Sequence, residues 1–354
     1  MKRIILFVVV LFAISCKNKE EKQLPKLTVQ SVEIETIYED SVSIRAIELL
    51  NDGSLAFAGS DGKFGLYNLQ TKTWNTKVQQ YDSITPAFRA VAHTATDFFM
   101  LSIANPALLY KTGDTGNMEL VYKEEGEKVF YDAMKFWNDK EGIAMGDSQN
   151  GCLSIIITRD GGNSWKKLDC SVLPAAEEGG FAASNTNIEI MGDKAWIITG
   201  GMKSRVFYSG DKGETWEAYD TPLKQGIETA GGYSLDFYDE NTGFIIGGDY
   251  TNPEGNTGNK AITKDGGKTW SLIADGEDPG YKSCVQYVPG SNGEELIAIG
   301  FTGISYSNDG GKKWKTLAEQ GFFTIRFIDE DTAFAAGNGK IALVKLIRGE
   351  GINN

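Results

Sequence analysis

Histidine is almost missing from this chain: His93 is the single copy in 354 residues. A lone imidazole argues against metal centres built from several histidines and against Ser–His nucleophilic machinery. Positive charge is in deficit too, with 35 Lys and Arg against 48 Asp and Glu and a formal net charge of −13. A basic surface for nucleic acid is therefore not expected. No Gly-rich loop stands at a strand–helix junction and no calcium-loop spacing occurs, so neither a cofactor nor a metal is expected. No apolar run is long enough to cross a membrane as a helix; the strongest, Ile4 to Phe12, is followed by Ala13-Ile-Ser-Cys16.

What the chain does have is a repeat. Thr158-Arg-Asp160-Gly-Gly162-Asn-Ser-Trp165, Ser209-Gly-Asp211-Lys-Gly213-Glu-Thr-Trp216, Thr263-Lys-Asp265-Gly-Gly267-Lys-Thr-Trp270 and Ser307-Asn-Asp309-Gly-Gly311-Lys-Lys-Trp314 share the form [Ser/Thr]-x-Asp-x-Gly-x-x-Trp. The Trp positions lie 51, 54 and 44 residues apart, the spacing of a four-stranded propeller blade. Two worn copies hold the period: Thr112-Gly-Asp114-Thr-Gly116-Asn-Met-Glu119 lacks only the Trp, and Asn68 to Trp74 keeps only the Trp. Each box is flanked by short apolar runs and is expected on a hairpin turn. Its Asp caps its own turn, its Gly supplies positive φ, and its Trp is buried. Asp114, Asp160, Asp211, Asp265 and Asp309, with Trp165, Trp216, Trp270 and Trp314, are thus read as structural. Four like sites on four blades cannot converge on one reacting centre.

A second pattern runs in phase: an apolar strand, a polar turn, then a strand ending in Gly, as in Met134 to Gly146, Leu235 to Gly247 and Ile325 to Gly337. The last unit has no box after it, and Leu27 to Ile37 alternates like a strand with no unit of its own. This N-terminal strand is expected to complete the last blade and close the ring, removing exposed edges. The fold expected is an all-β, seven-bladed β-propeller with four-stranded blades over residues 27–348.

Lys2, Arg3, the apolar core and Cys16 read as a lipoprotein signal peptide at 1–15, with Cys16 lipidated and residues 16–26 a tether. The alternative is an ordinary secretory signal with an incidental Cys. Cleavage would remove Lys2 and Arg3 and take the formal charge from −13 to −15. Residues 349–354 read as a tail. If the blade 3 hairpin turns at 159–163, Cys152 and Cys170 face each other and a disulfide is expected in an oxidising compartment. Cys284, in an apolar inner strand, reads as a buried thiol.

Boxes occupy one face of a propeller, so a site is expected on the other, where the long loops 171–187, 220–232, 249–259 and 274–282 gather. Arg45, Arg89 and Arg326 each fall early in an innermost strand of neighbouring blades, and Lys135 takes the corresponding place in blade 3. Together they would form a cationic cluster suited to a carboxylate or an acidic peptide. Pairing of each with a local acid, such as Glu48 or Asp329, is the competing reading.

The boxes resemble those of the BNR or Asp-box superfamily, which includes sialidases. The fuller unit resembles the photosystem II stability and assembly factor propellers, and most of all their bacterial relatives. Asp139, Gly142 and Gly146 fit it, as do Asp239, Gly243 and Gly247, while Ala333 replaces the first Gly in blade 7. Phe181-Ala-Ala-Ser-Asn-Thr-Asn187 also looks like a feature of those relatives. In the photosynthetic members an arginine-lined face is implicated in holding a partner during assembly; the resemblance implies that role for Arg45, Arg89 and Arg326. Lys19-Glu20-Glu21 after Cys16 looks like the surface-export signals of Bacteroidetes lipoproteins. The resulting expectation is a monomeric lipoprotein of the outer membrane or cell surface, or one facing the periplasm. It would hold an envelope protein or a glycan and touch the membrane only through its lipid. The enzyme alternative is a sialidase-like hydrolase, with Arg45, Arg89 and Arg326 on the substrate carboxylate and Tyr281 and Glu228 as nucleophile and base. Glu177, Glu178, Glu228 and Asp249 are the candidates for carboxylate-pair glycoside hydrolysis.

Overall fold

The computed structural model describes residues 27–114 and 116–350. The expected signal peptide, the expected lipidation at Cys16, the expected tether and residues 351–354 lie outside them. The described chain forms seven antiparallel sheets. Residues 46–78, 88–124, 131–167, 188–220, 230–272 and 284–318 make blades 1 to 6, each of four strands in sequence order. Every innermost strand packs against the next, and that of blade 7 (Thr324–Phe327) packs against that of blade 1 (Ala46–Leu49), so the ring closes.

Closure is by the N-terminal strand. Leu27–Ser43 pairs antiparallel with the final extended run, Thr332–Glu350. That run pairs with Thr324–Phe327 through its first residues and with the N-terminal strand from Asn338 onward. It turns back on itself at Gly339 (φ 74), where the Leu346 amide donates to the Asp331 carbonyl at 2.7 Å. The chain thus passes four times through blade 7. Sequence reading stopped the closing strand at Ile37 and the propeller at 348; the pairing runs on to Ser43 and Glu350.

The boxes stand between third and fourth strands. In all four full copies the first hydroxyl donates to the Asp carboxylate at 2.8–2.9 Å and accepts from the second Gly amide at 2.8–3.0 Å. The same carboxylate accepts the amide four residues on, at 2.9 Å. The second Gly lies at φ 77 to 88, where a side chain would be strained. Its missing Cβ also lets it press on the preceding blade: a Cβ at Gly311 would lie 2.3 Å from the Phe244 ring. Trp216, Trp270 and Trp314 donate to the carbonyls of those glycines. The worn box of blade 2 departs from this account at its hydroxyl. Thr112 donates to Asp97 at 3.0 Å and accepts the Phe98 amide instead.

Cys152 opens the third strand of blade 3, and Cys170 starts a single 3₁₀ turn (Cys170–Val172) just past the fourth. Their sulfurs are bonded, with Cα atoms 5.5 Å apart. Cys284 is a buried free thiol.

Candidate functional site

The ring of inner strands is not an open channel. Residues 182–187, leading into blade 4, are all buried and plug it. Asn185 donates to the Val91 carbonyl of blade 2 (2.8 Å) and accepts the Met134 amide of blade 3 (3.0 Å). Thr186 bonds Ser234 of blade 5, and Ser184 donates to the Ser283 carbonyl of blade 6. Thr324 and Arg326 of blade 7 donate to the Ser184 carbonyl, and Arg326 also to that of Asn185 at 3.3 Å. Small polar residues suit this task, because each buried backbone or hydroxyl group must meet a partner on a different blade.

Above the plug, on the face opposite the boxes, lies a cup of about 910 Å³. Its floor is Phe181, Ala182 and Ala183. One wall is aromatic: Phe181 stacks on Tyr233 at 3.8 Å, Tyr233 meets Tyr281 edge-on at 4.8 Å, and Tyr281 tilts against Phe301 at 5.2 Å. Tyr250 and Phe301 are about half exposed at its lip. The facing wall carries Arg45 and Arg89. Arg45 lies 3.9 Å from the centre of the Phe323 ring, and its Nε has no hydrogen-bond partner. Burial, and then the neighbouring charge of Arg89, lower its pKa to about 10. It remains a cation at neutral pH. Arg89 reaches only the Ala182 carbonyl, at 3.5 Å, and burial lowers it as well. Among the described residues neither guanidinium has a carboxylate within ion-pair distance.

The four expected basic residues do not converge. Ala46 pairs with Ala58, the residue before Gly59, and Thr324 pairs with Ala336, the residue before Gly337. Arg45 stands one place before this reference and Arg326 two places after it. Three residues are about 10 Å along a strand and a switch of side. Lys135 shares the Arg326 register, since Ala133 pairs with Met145 ahead of Gly146. Arg326 is therefore committed to the plug, and Lys135 to Glu189 of blade 4 at 2.5 Å. Among the described residues two arginines, Arg45 and Arg89, line the cup, one short of the three expected for a sialidase-like site. Tyr281 is buried while Glu228 is exposed, both line the cup, and no hydrogen bond joins them. Glu178 is spent on Arg205 (2.5 Å), and Asp249 on Thr229, Thr251 and Lys224. Among the described residues no group of three His, Cys, Asp or Glu is placed to hold a metal ion.

Sequence reading missed an acid pair. Asp132 sits in the same bulge register as Arg89, one blade on. It is buried with neither oxygen hydrogen-bonded, although the Gly180 and Ala182 amides lie beside it. Burial and then the charge of Asp147 raise its pKa well above the usual range, against the pull of Arg89. Asp147, on the cup wall, accepts the Gly180 amide at 3.1 Å and is raised by burial to about 6. Asp236, half-buried in the inner strand of blade 5, accepts the Tyr287 amide at 2.6 Å and is raised to about 7 by desolvation and then by Glu189. A shared register with Arg89 was the available signal.

These groups fix a pH dependence. A carboxyl raised in the folded state binds more protons there than in the unfolded chain, so its contribution is full below about pH 4 and is lost as pH rises through 6–7. His93, raised by its hydrogen bond to Glu48 (2.9 Å), acts in the same direction above its ordinary value. The box acids Asp160, Asp211 and Asp265 are lowered despite burial, by the hydroxyl and amide hydrogen bonds of their turns, and lose their contribution only below about pH 4. The Tm is expected to rise by a few degrees from pH 7.5 to 5, on the order of 2 kcal/mol. Asp147→Asn and Asp236→Asn should flatten that slope in calorimetry; an unchanged slope would refute the assignment.

The profile of the sortilin–Vps10 family (sortilin, neurotensin receptor 3) matches residues 153–298, less than half of the chain. No curated protein matches it by sequence. Among solved structures, YCF48 bound to D1 peptide superposes with a TM-score of 0.65 at 14% identity, covering 91% of this chain and 97% of that one. The WD40 repeats of RRP9 give 0.64 at 9%, covering 91% and 100%. The GH74 xyloglucanase from Xanthomonas campestris gives 0.61 at 13%, covering 88% of this chain and 53% of that one. At these identities the likeness is one of fold.

Proposed function

We propose that this chain is a lipid-anchored propeller of the cell envelope whose cup binds an extended, carboxylate-bearing segment of a partner protein. The observation that carries the reading is Arg45 with Arg89: two desolvated cations on one cup wall, neither within ion-pair distance of a carboxylate among the described residues, while Asp132, the acid that Arg89 feels, is pushed by burial toward its neutral form. A buried cation without a counter-charge is costly, and a bound carboxylate offsets that cost with two charge-assisted contacts. The aromatic wall opposite supplies flat apolar surface of the kind peptide-binding sites favour. YCF48 taking a D1 peptide on the same fold is consistent with this use. The aromatic wall also suits sugar rings, which keeps a glycan ligand as the second reading.

A benzophenone amino acid in place of Phe301 or Tyr250, both exposed at the lip, should cross-link one envelope protein on illumination of cells. The same group in place of Leu69, on the box side of blade 1, should not. Equal products from both faces, or none from the lip, would end the peptide reading. Turnover of a glycoside panel by the purified chain would replace it with the second.

A further inference from the structure

The worn box of blade 2 leaves a second site on the opposite face. In blades 3 to 6 the cleft toward the preceding blade is filled at the box end. A Cβ on Gly162, Gly213, Gly267 or Gly311 would fall 2.2–3.0 Å from Phe99, Ile157, Trp196 or Phe244 of the blade before. At Gly116, the same position in blade 2, a Cβ would meet nothing within 4 Å. Three replacements account for the space. Glu119 stands where the other boxes have Trp. Ala56 occupies the pairing position held by Phe99, Trp196 and Phe244. His93 stands where blades 3 and 5 have Phe136 and Phe237, and it turns to Glu48 and Asn51. Glu119 does not fill the gap, because its carboxylate lies over Gly113. Even blade 1, whose box keeps nothing else, fills its own cleft with Trp74 packed on Tyr38, Phe57 and Tyr67.

The result is a slot of about 410 Å³ between blades 1 and 2, walled by Ala56, Phe64, Leu66, Phe98 and Met118. Leu66 is 39% exposed, so the slot opens sideways to solvent. We propose that it receives one aromatic side chain, an indole or a phenyl ring, from an extended segment of a partner. The sister clefts set the chemistry: in each of blades 3 to 6 the box Trp belongs to the packing that fills the cleft. The lateral opening admits a ring that remains attached to a chain. The site lies on the opposite face from the cup and does not depend on it.

Free indole is the first probe, its binding to the full chain read by saturation-transfer NMR. Binding in the millimolar range is expected, as for a small ligand filling an apolar cavity. Ala56→Phe, which restores the filler of the neighbouring blades, should abolish binding and raise Tm by about 2 °C or more. Ala56→Leu, a smaller step, should weaken binding at least threefold and serves if the larger ring misfolds. The cup variant Arg45→Glu with Arg89→Gln should leave indole binding unchanged. Absence of saturation at 10-fold the expected range, or binding untouched by both Ala56 variants, overturns the site. Binding of indole but not of the peptide Ala-Ala-Trp-Ala-Ala overturns the occupant in favour of a free small aromatic molecule.

Discussion

Arg326→Glu is expected to destabilise the propeller by about 2–4 kcal/mol, measured as a lower urea midpoint. The guanidinium donates to the carbonyls of Ile325, Ser184 and Asn185 and to the Thr324 hydroxyl. A carboxylate in its place presents oxygen to oxygen, takes the Arg326 donor from the Asn185 carbonyl and leaves the Ser184 carbonyl with Thr324. Because the plug bonds five blades, its loss should also raise amide exchange in the inner strands of blades 2, 3, 5 and 6, far from the substitution. Arg45→Glu is the control. It removes like-charge repulsion from Arg89 and touches no plug carbonyl, so its midpoint should stay within about 1 kcal/mol of the parent. If the two variants unfold together, the division between a structural and a binding arginine is wrong.

The second large effect concerns binding. Arg45→Glu combined with Arg89→Gln should weaken capture of the cross-linked partner about 100-fold or more, with Tm nearly unchanged. Buried arginines at interface centres commonly contribute about 2 kcal/mol or more apiece, and each 1.4 kcal/mol is tenfold. Glutamine is chosen at 89 because a carboxylate there would stand beside Asp132, already strained by burial. Both are changed together because Arg89→Gln alone leaves the Arg45 cation in the cup and Arg45→Glu alone leaves that of Arg89. Calorimetric titration of the partner segment checks the result, and affinity within threefold of the parent would remove the arginines from the site.

The blade count, the closure by the N-terminal strand and the face opposite the boxes were all legible before any coordinates. Each depends on local rules that repeat: strand alternation, a positive-φ Gly at a turn, an Asp capping its own amides. The arginine cluster was half legible. Arg45, Arg89 and Arg326 all fall early in an inner strand, but Arg45 and Arg326 stand at different distances from the Gly that ends their second strands, Gly59 and Gly337, which left their facing open in the sequence. The pairing settles it: a three-residue difference in register sends Arg326 into the plug. The plug was visible only as a run of small polar residues, because its bonding depends on where five distant strands meet.

The worn box changed meaning most. Read alone, Thr112 to Glu119 is a unit that decayed; in three dimensions its lost Trp coincides with Ala56 across the cleft, 63 residues upstream of Glu119. By itself the sequence determined the period, the number of blades and which face the boxes crowd, since those follow from contacts within one repeat. Only the tertiary structure decided which cations stay unpaired, which acids share a buried wall and which cleft is empty. Those properties belong to the spaces between repeats, where burial and charge are set by residues that no local pattern connects.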